Sequence, residues 1–213
     1  MSIAAQPSSA GTKAARWALG ELLEGNRRFA AGTPRDHAVP ADRRLQLVDA
    51  QEPIAVVLGC VDARVPPEVI LDQGVGDLLT VRTAGHSLAG VALGSIEFGV
   101  RVLAVPLVVV LGHTGCGAVL AAMGDDHHDG HLGVLTGEVA GRLVDVVGDD
   151  PVRATGANLQ GTVDALRHLG TLVIGTAPAL VVGLLYDLAT GEVTVTDDAG
   201  LLAWAEPAPR AQD

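Results

Sequence analysis

The sequence predicts an α/β fold: a mainly parallel central β-sheet flanked by helices, with an antiparallel edge strand and an N-terminal helical arm. Three observations lead there. Short, continuous β-branched runs such as Ile54 to Leu58 and Leu107 to Leu111 read as strands buried on both faces. Helical stretches separate most of these runs, which is the connection that parallel strands require. One late run, Glu192 to Thr196, alternates in polarity as an edge strand does.

The elements follow in order. Residues 1–15 are Ser/Ala-rich and read as a disordered arm. A single domain is expected over 16–206, its first part (16–50) a helical extension built from Trp17 to Ala31 and Pro40 to Ala50, and 207–213 a solvated tail. Four strand candidates end in glycine or polar residues: Ile54 to Leu58 at Gly59-Cys60, Leu78 to Arg82 at Thr83, Leu107 to Leu111 at Gly112-His113, and Ala179 to Tyr186 at Asp187. A helix should begin at Pro66-Pro67-Glu68, where proline suits the first turn and glutamate the dipole. Ser87 to Leu103, Gly115 to Met123, Gly133 to Val147 and Pro151 to Leu169 are further helices, and Gly124 to Gly130 is a loop by composition. Leu169 to Tyr186 is uncharged and approaches spanning length, but Pro178 and three glycines interrupt it. A helix turn followed by a buried strand explains it better than a membrane span.

Composition excludes some functions. Lys+Arg 14 against Asp+Glu 25 leave a net charge of −11, which repels phosphate backbones and anionic lipids, so neither a nucleic-acid nor a membrane partner is expected. The two cysteines, Cys60 and Cys116, do not make a secreted disulfide scaffold, because the N-terminal stretch lacks the apolar region of a secretory signal. A cytoplasmic protein is expected.

In an open parallel sheet, ligands gather beyond the carboxyl ends of the strands. Two strands here end in soft metal ligands, Cys60 after one, His113 and Cys116 after another. Two thiolates and an imidazole suit zinc, and three protein ligands leave the fourth tetrahedral position open, as catalytic zinc requires. Cys116 also lies near a helix start, where the dipole should lower its thiol pKa. If residues 60–64 run extended, Cys60, Asp62 and Arg64 share one side. Asp62 then competes for the open position while Arg64 holds it away. Zn²⁺ with two thiolates and a neutral imidazole sums to zero charge, so bound water should ionise above about 7 and the optimum should be mildly alkaline. The rival use of the same residues, a Cys/His nucleophile pair, leaves the second cysteine without a task.

The runs GCVDARVPPE from Gly59, DQGVGD from Asp72, VRTAG from Val81 and GHTGCGA from Gly112 resemble the β-class carbonic anhydrases. The similarity extends from LLEGNRRF at Leu22 to LYDLATG at Leu185 and covers most of the chain. It implies zinc on Cys60, His113 and Cys116, an Asp62–Arg64 dyad, and reversible hydration of carbon dioxide to bicarbonate and a proton by zinc-bound hydroxide. In such a site Asp62 either accepts a hydrogen bond from the hydroxide or ligates zinc in a closed form. Gln51 matches the family's substrate-binding glutamine, which reaches across a dimer interface. The resemblance therefore implies a homodimer or dimer of dimers, embraced by the N-terminal arm.

The chain also departs from the family. Ala63 replaces a usual serine, and His86 stands where many members have asparagine; it reads as an exposed loop histidine rather than a proton shuttle. Leu79 and Phe98 occupy substrate-pocket positions that are commonly aromatic in the family; Leu79 changes the pocket shape and Phe98 lacks a tyrosine hydroxyl. The altered pocket keeps open a hydrolase of carbonyl sulfide or carbon disulfide; a second alternative is a catalytically silent zinc protein that Asp62 closes. The loop Asp125 to His131, with His127, His128 and His131, reads as solvated rather than as a second metal site. Arg27, Arg28, Arg35, Arg43 and Arg44 read as a salt-bridging helical face.

Overall fold

The computed structural model describes residues 9–37, 41–124, 128–144, 150–175 and 177–196. Helix α1 (Ser9–Ala30) and the short α2 (Ala41–Gln46) precede the first strand. Strand β1 (Ala55–Gly59), helix α3 (Pro67–Ile70), β2 (Leu78–Arg82), α4 (Gly90–Arg101) and β3 (Leu107–His113) form the first half of the domain. Helices α5 (Gly117–Met123), α6 (Gly130–Gly141) and α7 (Pro151–Arg167) follow. The short pair β4 (Val173–Ile174) and β5 (Ala177–Pro178) then leads into β6 (Leu180–Tyr186) and β7 (Val193–Val195).

The main sheet has the order β2-β1-β3-β6-β7. The β1–β2, β1–β3 and β3–β6 pairs are parallel, and β7 closes the edge antiparallel to β6, as the sequence predicts. Every residue of β1 and β3 is buried, which is why these runs are hydrophobic without alternation. Ala55, Val57, Leu107 and Val109 face a layer that includes α1, whereas Val56, Leu58, Val108 and Val110 face α4 and α7. Chain order reverses at the centre: the strand after β1 lies on one side of it and β3 on the other. The carboxyl ends of β1 and β3 therefore flank the crevice in which open α/β sheets bind ligands.

The N-terminal segment differs from expectation. Helix α1 begins at Ser9, so residues 9–15, read from sequence as disordered arm, form its first turns. Alanine-rich sequence favours helix, and the stripe Ala15, Ala18, Leu19 and Leu22 gives it a face to bury against this chain's own core. Two residues of the LLEGNRRF run explain the docking. A Cβ at Gly25 would collide with the Leu71 carbonyl, so only glycine permits that approach. Buried Asn26 donates to the carbonyls of Ile70 (3.0 Å) and Gly191 (2.9 Å) and accepts from the Val193 N–H (2.8 Å).

The uncharged stretch from Leu169 ends in β4, β5 and β6, and no helix among the described residues is long and apolar enough to cross a membrane. Helix α6 starts at Gly130, earlier than its Gly133 expectation, and ends at Gly141; residues 145–147 of the expected helix lie outside the described residues, as do 1–8, His127 and the tail 207–213. Four of the five early arginines form ion pairs, Arg27 with Glu24, Arg28 with Asp72, Arg35 with Glu21 and Arg43 with Asp77, in line with a salt-bridging face.

Candidate metal centre

Cys60 immediately follows β1, His113 ends β3, and Cys116 is the N-cap of α5. Parallel pairing of β1 with β3 brings these distant residues side by side at the sheet's carboxyl edge. The two Sγ atoms and a ring nitrogen of His113 all lie within 4.8 Å of one another, and all three residues are buried. Among the described residues this is the one His/Cys/Asp/Glu group that gathers in this way.

The donor set fits zinc. The sulfurs are 4.0 Å apart, too far for a disulfide at about 2 Å and close to the tetrahedral edge of about 3.8 Å that two zinc thiolates span. His113 Nδ1 is 2.9 Å from the Thr114 carbonyl, which assigns the proton to Nδ1 and leaves Nε2 as the donor atom. That Nε2 is buried without a hydrogen-bond partner, as expected of a nitrogen reserved for a metal.

Electrostatics point the same way. The Cys60 thiol is pulled well below its usual range, first by the hydrogen bond with Cys116 and then, against burial, by His113 and the N–H groups of Asp62 and Gly85. Cys116 is pushed up, first by Cys60 and then by burial, despite the N–H groups of Val119 and Ala118. The expected lowering of Cys116 at the helix start is thus outweighed by its neighbour. Two sulfurs sharing one proton form an arrangement that a divalent cation relieves, allowing both to ionise. Burial works against charge on His113, but Cys60, Thr114 and Asp62 outweigh it and raise its pKa.

Asp62 stands outside the ligand group. Its Oδ1 accepts from the Arg64 backbone N–H and Nε (both 2.9 Å), and its Oδ2 from Arg64 Nη2 (2.6 Å). Arg64 Nη2 also donates to the Gly115 carbonyl at 3.3 Å, so the dyad spans the β1 and β3 loops. Hydrogen bonding from Arg64 keeps the Asp62 carboxyl far below the usual carboxylate range. The carboxylate is ionised, held beside the ligands, and committed to an arginine.

The remaining sequence candidates sit elsewhere in this chain. Gln51 is exposed in the segment before β1. Leu79 pairs with Val56 inside β2 and packs under Gly99 of α4, where a Cβ would come within 3.0 Å of Leu79 Cδ2. Phe98 is 47% exposed on α4. None of these three belongs to the Cys60–His113–Cys116 group within one chain, and Ala63 is exposed. His131 is exposed on α6, His128 precedes that helix, and neither joins a ligand group.

His86 corrects the exposed-loop reading. It is fully buried, and burial pushes its imidazole down to about 4. Gly85 (φ 59°) and His86 (φ 57°) form a left-handed turn that directs the ring inward, where its Cε1 lies 3.5 Å from the place of a Cβ on Gly112. Buried Asn158 donates to the Gly85 carbonyl at 3.0 Å, and its Oδ1 accepts from Arg142 at 3.3 Å. Arg142 pairs with Glu138, which accepts from the Ser87 hydroxyl and the Leu88 N–H. Sequence reasoning missed this network, because its members come from three separate segments. It also passed over Arg82, named only as a strand end and within VRTAG, whose guanidinium reaches the loop that carries Cys60 and Asp62.

Comparison with known proteins agrees with this geometry. A family model described as carbonic anhydrase matches residues 55–193. A protein of Mycobacterium tuberculosis named carbonic anhydrase 2 is 55% identical over 102 residues, 48% of this chain and 49% of that protein, so the matched segment spans about half of that relative. A carbonic anhydrase of Mycolicibacterium smegmatis is 42% identical over 193 residues, covering 84% of this chain and 92% of that one. Among solved structures, a β-carbonic anhydrase of Sordaria macrospora, described as tetrameric, superposes with a TM-score of 0.64 at 22% identity over 71% of this chain and 84% of that one. The β-carbonic anhydrase CafA of Aspergillus fumigatus gives a TM-score of 0.60 at 25% identity over 89% of this chain and 99% of that one.

Proposed function

The chain belongs to the β-carbonic anhydrase family, and from that premise we propose that it is a zinc-dependent enzyme for the reversible hydration of carbon dioxide to bicarbonate and a proton. The observation that carries this reading is the convergence of Cys60, His113 and Cys116 beside an Asp62 carboxylate already committed to Arg64. Zinc held there supplies Lewis acidity, which makes water a competent nucleophile near neutral pH. The chain's own groups do the rest. The Thr114 carbonyl fixes the His113 tautomer, so that Nε2 would be the atom to hold zinc. Asp62, ionised and anchored, accepts a hydrogen bond from the attacking water and aims its lone pair at the substrate carbon. Arg64 keeps that carboxylate in place and balances its charge.

The substrate-binding roles assigned to Gln51, Leu79 and Phe98 fit a site completed by a second copy of the chain. The exposure of Gln51 and Phe98 supports that reading, which takes the protein as a homodimer or dimer of dimers. A cytoplasmic location fits Cys60 and Cys116 as free thiols in a reducing medium. Neither the family match nor the named relatives lend support to a carbonyl sulfide or carbon disulfide hydrolase, or to a silent zinc protein.

The test is zinc analysis coupled to stopped-flow carbon dioxide hydration, on wild type and Asp62→Asn. The reading expects about one zinc per chain in both proteins and hydration activity reduced about 100-fold or more in the variant. Zinc-loaded wild type without hydration activity overturns it.

A further inference from the structure

Arg82, the last residue of β2, makes contacts that the reaction above does not use. It pairs in register with Gly59, so its stem runs beside the end of β1, with Cγ 4.0 Å from where a Cβ on Gly59 would stand. From there Nε donates to the Cys60 carbonyl at 2.8 Å and Nη2 donates to the Asp62 carbonyl at 2.7 Å. The next residue, Thr83, donates its N–H to the Gly59 carbonyl at 3.1 Å. Beyond Gly59 the chain leaves the parallel ladder, and its carbonyls need other partners. The planar guanidinium fork meets two of them at once, which a lysine ammonium does less well.

Asp62 is consequently held at both ends by two arginines from different elements. Arg64 holds the carboxylate and Arg82 the main-chain carbonyl. The Asp62 side chain is 17% exposed but that of Arg64 is 57% exposed, so solvent screens their pair in part. Arg82 is half-buried and rooted in the sheet. We propose that Arg82 is a positioning residue: by fixing the Cys60–Asp62 segment it keeps the Asp62 carboxylate on Arg64 and off the metal, so that the centre has three protein ligands and one open position. The proposal rests on the carbonic anhydrase reading for its effect on turnover, but not for its effect on coordination.

The experiment uses zinc-loaded and cobalt(II)-substituted forms of wild type, Arg82→Met, Arg82→Lys, Asp62→Asn and the Arg82→Met/Asp62→Asn double variant. Metal content should stay near one per chain throughout, because the three ligands are untouched. In Arg82→Met, hydration kcat should fall about tenfold or more with KM changed less than about threefold, and Arg82→Lys should recover part of the loss. The visible cobalt bands of Arg82→Met should differ from wild type as a carboxylate joins the metal, and the double variant should return to the Asp62→Asn spectrum. Wild-type kcat and spectrum in Arg82→Met overturn the proposal, as does a spectral change that survives in the double variant. If Arg82→Met fails to fold, Arg82→Lys and its double with Asp62→Asn carry the same readouts. Wild type without hydration activity removes the enzymatic reading, while the cobalt spectra still decide the role of Arg82.

Discussion

Asn26, only 3% exposed, uses both ends of its amide on main-chain atoms far away in sequence. It ties α1 to the end of α3 and to the β6–β7 hairpin, a task that no apolar residue of the same size performs. Replacing it with alanine leaves two carbonyls and one N–H without partners in a buried place. Each such loss costs about 1–3 kcal/mol before relaxation or entry of water, so Asn26→Ala should lose about 3 kcal/mol. Urea unfolding monitored by circular dichroism measures this; a loss below about 0.5 kcal/mol would mean that water replaces the amide without penalty. The same logic explains which single residues were readable beforehand. Cys60, His113 and Cys116 announced themselves because their chemistry is rare and each stands at the end of an apolar run. His86 did not, because a loop histidine looks alike whether its backbone turn points it outward or inward. Arg82 carries no signal beyond its place at a strand end, and only the register against Gly59 reveals what its guanidinium reaches.

At the scale of elements, the docking of α1 depends on charge as well as on its apolar stripe. Asp72, in a left-handed conformation (φ 51°) after α3, has a fully buried side chain. It accepts from Arg28 Nε at 2.5 Å, from the Arg35 N–H at 3.0 Å, and faces His37 Nε2 at 2.7 Å. Burial alone would raise its pKa, but Arg28, His37 and the Arg35 N–H outweigh burial and lower it. A carboxyl whose folded pKa lies below its unfolded value of about 3.9 contributes stability that is complete above that value and is lost as pH falls through the folded one. Asp72→Asn should therefore be less stable than wild type at pH 7, and the gap should narrow below about pH 4. Urea midpoints at pH 7, 5, 4 and 3 test this, and parallel curves for the two proteins would remove Asp72 from the acid response. The strands were legible because β-branched runs buried on two faces have few other uses. Helix ends were less so: α4 begins at Gly90 rather than Ser87, because Ser87 and Leu88 are held by Glu138, fifty residues away for Leu88. The β4–β5 pair is too short to leave a pattern, and the start of α1 was hidden in small residues equally at home in a loose arm.

For the molecule as a whole, the central question is whether one chain makes a complete site. The metal end of the sheet holds the ligands and the Asp62–Arg64 pair, while Gln51 and Phe98 are exposed to solvent in the same chain. Val91 (85% exposed) and Phe98 (47%) on α4, and Val102 (64%) at its C-cap, recur at seven- and four-residue steps, which places them along one uncovered face. On the proposed dimer reading, a two-fold partner offers its own Gln51 to this chain's metal centre and takes this chain's in return. Complementation tests the exchange. One chain carries Gln51→Ala with its ligands intact; the other carries His113→Ala with Gln51 intact. Each homodimer is impaired at both sites, whereas a heterodimer rebuilds one complete site from the two halves. Equal amounts mixed at random by co-refolding should recover about a quarter of wild-type hydration activity, since half of the dimers are mixed and half of their sites are whole. Activity no greater than the mean of the two parents would show that Gln51 is not exchanged between the two chains' metal centres.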